Sequence, residues 1–324
     1  MNIPLHRRVE TAVTLVFLAL QTFCILGSFV LLFLFPLPMI LYLGFIFVYD
    51  KATPSGQGRR LEWFRELKFF KYLKDYFPCA THKTADLDPS KTYIFVYHPH
   101  GILSVGCFIT FGTNATGFKE LFPGITSSLC TLPAQFFTPF WREILLYLGV
   151  RDSNMKSCLY GLSRGPGSAI TLVVGGAQES LYSKPGTAEL CLLKRKGFVK
   201  VALTTGSSLV PVFGFGETDI WDQVPNPEGS MVRKIQDTLK KFITFTIPFI
   251  RGRGVFQYNW GLLPQRRPLN VVVGAPIDVP KVEKPTPEEI DEYHNKYIKG
   301  LEELYHQYKD VYAKNRQADL VFKE

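Results

Sequence analysis

The chain has few cysteines and no pairing pattern among them. Its 324 residues contain six, and no two stand in a Cys-x-x-Cys spacing. Disulfide-stabilised domains and structural zinc sites need closely spaced sets of cysteine, or of cysteine and histidine. The spacing therefore argues against both and predicts reduced thiols and no metal site. The six are Cys24, Cys79, Cys107, Cys130, Cys158 and Cys191.

Charge is missing from a long stretch near the N-terminus. No Asp, Glu, Lys or Arg occurs in the 39 residues from Thr11 to Tyr49. A helix crosses a bilayer with about 20 apolar residues, and Pro36 and Pro38 interrupt the run. We predict a helical hairpin, with one helix over Val9 to Phe35 and a shorter one over Met39 to Tyr49. A signal peptide is the rival reading, but its apolar core has roughly 7 to 15 residues.

Basic residues flank this hairpin on both sides. Arg7 and Arg8 precede it, and the positive-inside rule then places both flanks in the cytosol. We predict a membrane hairpin over residues 1–50 and a cytosol-facing domain over 51–324. The net charge of +9 suits anionic lipid or a phosphate-bearing substrate, and no nucleic-acid-binding module is present. The flank that follows contains Lys51, Arg59, Arg60 and Arg65.

The region after the hairpin alternates between strand-like and helix-like segments. This pattern predicts an α/β fold with a largely buried sheet and flanking helices. The capping box Thr286 to Glu289 begins a C-terminal amphipathic helix, to which we assign no chemistry. The predicted strands are Thr92 to Tyr97, Ala169 to Val174, Leu209 to Phe215 and Leu269 to Val273, and the predicted helices include Ser153 to Leu162 and Phe198 to Thr205.

Two histidines follow the first of these strands, in the sequence His98-Pro99-His100-Gly101. Proline and the residue before it have restricted backbone angles, so the segment predicts a rigid loop that holds an imidazole. A lone histidine at a strand end is more often structural. A pair separated by proline and followed by glycine favours a catalytic role.

Two further segments indicate ligand contact. Gly175-Gly176 after a strand allows close approach of main-chain N–H groups, and Glu179 stands just beyond them. Arg195-Lys196-Gly197 precedes a predicted helix, where an anion would be stabilised. A solvated basic surface explains the second segment equally well.

Together these motifs resemble the type 2 diacylglycerol acyltransferase family, which also holds the monoacylglycerol and wax-alcohol acyltransferases. The likeness covers nearly the whole chain. It also includes Tyr76-Phe77-Pro78, Leu209-Val210-Pro211 and Phe215-Gly216-Glu217. The resemblance implies an endoplasmic-reticulum enzyme, often at lipid droplets, that moves an acyl group from acyl-CoA to a lipid hydroxyl. It implies membrane lipid, acyl-CoA and an acylglycerol or fatty alcohol as partners, no separate cofactor, and leaves self-association open.

The resemblance also implies a mixed sheet like that of the glycerolipid acyltransferases, whose hallmark is a His with an Asp five positions later. Leu103 and Val105 stand at those positions here, so we assign the acidic role to Glu179. His100 is the predicted general base, because related plant members carry an acidic residue in place of His98. The remaining assignments are His98 in support, Gly101, Gly175 and Gly176 as oxyanion donors, and Arg195, Lys196 and Gly197 at the CoA phosphates.

Three alternatives remain. Gly161-Leu162-Ser163-Arg164-Gly165 matches the nucleophile elbow of serine hydrolases, which requires a preceding strand, whereas a helix is predicted here. A non-enzymatic hairpin protein would leave the two histidines without a use. A wax-ester synthase differs only in its acceptor. The apolar segments Pro133 to Val150 and Phe242 to Ile250 stay unassigned.

Overall fold

The computed structural model describes residues 3–224, 229–231, 234, 238, 249–256 and 260–324. A seven-stranded sheet forms its centre, with the strand order β1-β10-β7-β2-β5-β3-β4, and two two-stranded sheets pair β6 with β11 and β8 with β9. The strands are β1 Cys79–Lys83, β2 Tyr93–His98, β3 Thr126–Thr131, β4 Arg151–Asp152, β5 Ser168–Leu172, β6 Ala188–Cys191, β7 Ser208–Phe215, β8 Asp222–Gln223, β9 Ile250–Arg251, β10 Leu269–Val273 and β11 Leu320–Lys323.

Helices cover both faces of the central sheet. The described α-helices are α1 Leu5–Leu34, α2 Pro36–Gly44, α3 Glu62–Arg65, α4 Lys68–Tyr76, α5 Val105–Cys107, α6 Phe118–Leu121, α7 Trp141–Tyr147, α8 Met155–Leu162, α9 Gly176–Glu179, α10 Gly197–Thr205 and α11 Pro287–Tyr312. Short π-helical turns follow α2 and α5, at Phe45–Tyr49 and Phe108–Gly112.

The predicted mixed α/β sheet is confirmed. Strand β2 pairs in parallel with both β5 and β7, whereas β10 runs antiparallel to β7. The predicted strands match closely, except that β5 ends at Leu172 and not at Val174. The capping box at Thr286 begins α11, and both of its reciprocal hydrogen bonds are formed.

Strand β2 is buried along its whole length because each of its faces meets a different core. Tyr93, Phe95 and Tyr97 pack in the core on the side of α1 and α4. Ile94 and Val96 pack in the other core, against α10 and α11. The near-continuous apolar sequence of this strand is what burial on both faces of a parallel sheet requires.

The N-terminal hairpin differs from its prediction at the turn. Helix α1 ends at Leu34, and α2 begins at Pro36 with only Phe35 between them. Proline is well accommodated in a first helical turn because that N–H has no intrahelical partner, so Pro36 starts the second helix. Among the described helices, α1 alone is long and apolar enough to cross a membrane, which indicates membrane association.

The first half of α1 packs on the sheet domain. Val13 and Leu18 contact the buried core, and the Phe17 ring lies 4.9 Å from that of Phe108. Glu10 is buried and forms an ion pair with Arg266. The boundary predicted at residue 50 stays a prediction, since α1 contributes side chains to the domain as well as to the hairpin.

Four charged residues connect the end of the hairpin to α7. Asp50 binds both Arg59 and Arg142, and Glu143 binds the same two arginines. Arg142 is buried, so its charge is stabilised by these carboxylates and not by water. The cluster has no net charge, and it fixes the orientation of the hairpin base.

The two unassigned apolar segments have different outcomes. Pro133 to Val150 forms a 3-10 turn over Pro133–Phe137 and helix α7, with some side chains buried and Phe137 exposed. Most of Phe242 to Ile250 lies outside the described residues. Ser163 ends helix α8 and does not follow a strand, so the nucleophile-elbow geometry is not formed.

Candidate active site

The candidate residues follow three parallel strands and lie at one edge of the sheet. Strands β2, β5 and β7 point the same way, and their carboxyl ends therefore lie side by side. His98-Pro99-His100 leaves β2, Gly175-Gly176 follows β5, and Gly216-Glu217 follows β7. Ligand sites of open α/β sheets form at this carboxyl edge.

His98 is buried and makes a structural hydrogen bond. Its Nε2 lies 3.0 Å from the Tyr297 hydroxyl, which donates its own hydrogen to the carbonyl of Val96. The Nε2 atom must therefore carry the proton, and Nδ1 has no partner among the described residues. Burial lowers the pKa of His98 to about 3, so the ring is neutral.

His100 is half-buried and has a defined tautomer. Its Nδ1 lies 3.1 Å from the carbonyl oxygen of Gly101, which can only accept, so Nδ1 carries the hydrogen. The Nε2 lone pair then has no partner in the described part of the chain. Burial lowers the pKa of His100 below its ordinary value, which keeps the ring neutral and able to accept a proton.

Glu179 contacts the main chain of His100 and not its ring. The buried carboxylate accepts hydrogen bonds from the His100 N–H at 2.5 Å and from the Cys191 N–H at 2.8 Å. The orientation of the imidazole that we predicted for this carboxylate comes instead from the carbonyl of Gly101. Burial raises the pKa of Glu179 to about 7, against the opposing effect of the two N–H donors.

The structure explains why each of the three predicted oxyanion residues is a glycine. A Cβ on Gly175 would lie 2.0 Å from Oε2 of Glu179. Gly101 has a φ of +57°, and a Cβ there would lie 2.7 Å from Cγ of Glu217. Gly176 has a φ of +61° with open space around it. The main-chain N–H groups of all three have no acceptor among the described residues.

Glu217 is a site residue that the sequence analysis did not identify as one. Its buried carboxylate accepts from the Tyr97 hydroxyl at 2.7 Å and from the N–H groups of Val105 and Gly106 at 2.7 and 2.8 Å. Burial raises the pKa of Glu217 to about 7. The sequence does contain a signal for Glu217. Strand β7 is followed by Gly216 and Glu217, just as β5 is followed by Gly175, Gly176 and then Glu179.

The basic segment lies beside the site with only part of its charge available. Helix α10 begins at Gly197, one residue before its predicted start at Phe198, and Lys196 forms an ion pair with Asp291 at 2.5 Å. Arg195 is exposed and has no ion-pair partner in the described part of the chain. Its positive charge partly opposes the rise in the pKa of Glu179 that burial causes.

A crevice of about 690 Å³ opens on the same edge and reaches the loop at Pro99. Its other walls come from the ends of β7 and α11 and the start of β10, including Gly216, Tyr312 and Asn270. The volume falls within the usual range for small-molecule sites. Within the residues that the structure describes, no three His, Cys, Asp or Glu side chains are arranged to hold a metal ion.

Comparison with known proteins identifies the family. The family model described as diacylglycerol acyltransferase matches residues 29–323. This chain belongs to that family. It is 44% identical to diacylglycerol O-acyltransferase 2A of Umbelopsis ramanniana, over 100% of this chain and 93% of that protein. It is 46% identical to 2-acylglycerol O-acyltransferase 1 of Bos taurus, over 100% of this chain and 98% of that protein.

Among solved structures, the 1-acyl-sn-glycerophosphate acyltransferase of Thermotoga maritima aligns over 96% of this chain and 97% of that chain. The TM-score is 0.43 and the sequence identity is 12%, too low to support an argument. Family membership itself makes this chain an acylglycerol O-acyltransferase of lipid biosynthesis, as the resemblance implied.

Proposed function

We propose that this acyltransferase moves a fatty acyl group from acyl-CoA to the free hydroxyl of diacylglycerol, with His100 as the general base. Monoacylglycerol is the alternative acceptor, and relatives named for each acceptor have similar identity to this chain. The observation that carries the proposal is the tautomer of His100. The Gly101 carbonyl holds the Nδ1 hydrogen, so Nε2 presents a lone pair on a half-buried ring.

The reaction then proceeds in one displacement. Nε2 of His100 accepts the hydroxyl proton while the alcohol oxygen attacks the thioester carbon, which forms a tetrahedral oxyanion. The oxyanion collapses, the carbon–sulfur bond breaks, and the CoA thiolate takes the proton from the imidazolium. No acyl-enzyme forms in this sequence, since the acceptor itself is the nucleophile.

The remaining site residues support this reaction in three ways. Glu179 and Glu217 fix the two ends of the loop through main-chain N–H groups. The unpaired N–H groups of Gly101, Gly175 and Gly176 are the available donors for the oxyanion. The exposed guanidinium of Arg195, with Lys196 released from its surface ion pair, meets the phosphates of CoA.

The hairpin and the acceptor support a membrane location. The apolar helix α1 supports membrane attachment, and diacylglycerol resides in the bilayer. We propose that this membrane is the endoplasmic reticulum and that the enzyme also occurs at lipid droplets, as the resemblance implies, with both termini in the cytosol. Arg7, Arg8 and Lys51, which flank the hairpin, support this orientation.

The test compares His100→Ala with His306→Ala in lipid nanodiscs. His306 is an exposed histidine on α11 and serves as the matched control. With labelled oleoyl-CoA and dioleoylglycerol, we expect His100→Ala to lower the transfer rate about 10²- to 10⁴-fold and the control to keep it. A folded His100→Ala enzyme with the normal rate would refute the general base.

A second measurement addresses the acyl-enzyme and the acceptor. Incubation with labelled oleoyl-CoA in the absence of acceptor is expected to leave no covalent label on the protein, and stoichiometric labelling would contradict the single displacement. Diacylglycerol, monoacylglycerol and a long-chain alcohol in competition then rank the acceptors by the labelled products. A dominant wax ester would replace our acceptor assignment.

A further inference from the structure

Large apolar side chains protrude from the segment between β9 and β10. Phe256 is 95% exposed, Leu262 68%, Trp260 66% and Val255 40%. We refer to these four residues as the aromatic tip. Single exposed apolar residues are common on protein surfaces, but a local group with two aromatic rings marks an interaction surface.

The aromatic tip stands on a two-stranded stem. Bridges pair Gly252 with Gly261 and Arg253 with Leu263, and a Cβ on Gly252 would lie 2.0 Å from the Leu263 carbonyl oxygen. The stem leaves β9, which pairs with β8 just beyond the carboxyl end of β7. The tip therefore belongs to the same edge of the sheet as the histidine loop.

The stem is bonded to the start of the membrane helix. Nη2 of Arg253 and Nη2 of Arg266 each lie 3.0 Å from Oγ1 of Thr11, and Arg266 also binds Glu10 and the Arg7 carbonyl. Thr11 is the residue at which the uncharged run of α1 begins. The tip is thus fixed next to the point where the chain changes from charged to apolar.

Exposed arginines stand within four residues, along the chain, of the residues that make these contacts. Arg7, Arg8, Arg251 and Arg267 are exposed. Aromatic side chains beside arginines suit the headgroup region of a bilayer, where rings enter the acyl boundary and cations meet anionic lipid. Continuity with α1 and the sign of the charge both favour a lipid surface over a protein partner.

We infer that the aromatic tip is a second membrane contact, inserted into the interface of the leaflet that α1 enters. With α1 it holds the carboxyl edge of the sheet against the bilayer, where a lipid acceptor reaches His100 laterally. The role of this contact in acyl transfer rests on the proposed function, whereas the membrane contact of the aromatic tip does not.

The first experiment measures the contact without turnover. An environment-sensitive nitrobenzoxadiazole probe is attached to Cys in Phe256→Cys and, as the matched control, in Glu302→Cys on the exposed face of α11. In nanodiscs with doxyl-labelled lipids, we expect a blue shift and quenching for the first and neither for the second. A probe at 256 that is not quenched, whether because water or protein surrounds it, overturns the inference.

The second experiment measures the consequence. Phe256→Ser/Trp260→Ser is assayed with dioleoylglycerol in the bilayer and with a short-chain, water-soluble diacylglycerol. We expect the apparent KM for the bilayer acceptor to rise about tenfold, because two apolar anchors are lost, with the soluble acceptor unaffected. An equal loss with both acceptors, or none with either, contradicts the positioning role and leaves the His100 test untouched.

Discussion

Replacement of Glu217 by glutamine tests whether the buried carboxylate positions the histidine loop, residues 98–107. The carboxylate accepts three hydrogen bonds, from the Tyr97 hydroxyl and from the N–H groups of Val105 and Gly106. A glutamine amide has one acceptor oxygen and two N–H donors, so at least one of the three donors must face an N–H group. Nothing else in the described residues accepts from these donors.

The size of the effect follows from those contacts. A hydrogen bond to a charged group contributes about 1.5–3 kcal/mol, and its loss leaves a buried donor unpaired. If the loop must regain its geometry for reaction, about 3 kcal/mol lowers kcat by roughly 100-fold, at about 1.4 kcal/mol for each factor of ten. KM for acyl-CoA should change little, because the carboxylate does not reach solvent.

Tyr97→Phe is the matched control for Glu217→Gln. It removes one donor and keeps both main-chain contacts, so we expect a loss at the lower end of that range, about 1.5 kcal/mol, and about a tenfold lower kcat. The assay combines transfer kinetics with amide hydrogen exchange of residues 98–107. Faster exchange at Val105 and Gly106 is expected only for Glu217→Gln. A folded Glu217→Gln enzyme with normal kcat and normal exchange there would refute the positioning role.

Four further outcomes are expected. Since burial raises the pKa of Glu179 and Glu217 to about 7, transfer should fall as the pH drops through 7, and an acid limb below pH 6 would contradict this. The same protonation should raise stability against heat as the pH falls from about 7 towards 4.5, because unfolded carboxyls bind protons only near 4.5. Gly101→Ala should abolish transfer, because the added Cβ would collide with Glu217. Gly165→Ala is the matched control: Gly165 also has a positive φ, +108°, but has open space around it, so this variant should lower stability and keep kcat. Arg142→Leu should cost about 3–5 kcal/mol in the free energy of unfolding, measured in nanodiscs, because two carboxylates lose their buried partner, and an unchanged midpoint would contradict that.

The strands at the centre of the sheet were the predictable part of the fold. Strands β2, β7 and β10 are short apolar runs bounded by polar residues, glycine or proline, and burial on both faces demands that composition. The edge strand β1 was not predicted. Its sequence Cys-Ala-Thr-His-Lys is only partly buried, so it contains no apolar run that periodicity could detect.

The histidine loop could be located from sequence, but its hydrogen-bond partners could not. His98-Pro99-His100 was identified because its residue types are chemically unusual at a strand end. Glu217 is 117 residues further along the chain than His100, and its partners are main-chain N–H groups that every residue possesses. No residue pattern reports such a contact. The tautomer of His100 likewise depends on a local carbonyl direction that only three-dimensional geometry supplies.

The docking of α1 has a consequence for any attempt to obtain a water-soluble form of this enzyme. Val13, Phe17 and Leu18 cover part of the same core that contains Tyr97. Deletion of residues 1–50 would expose this part of the apolar core to water and remove the ion pair between Arg266 and Glu10. Helix α1 is therefore part of the folded sheet domain as well as the membrane segment. A water-soluble form requires replacement of the exposed apolar residues of α1, with the helix itself retained.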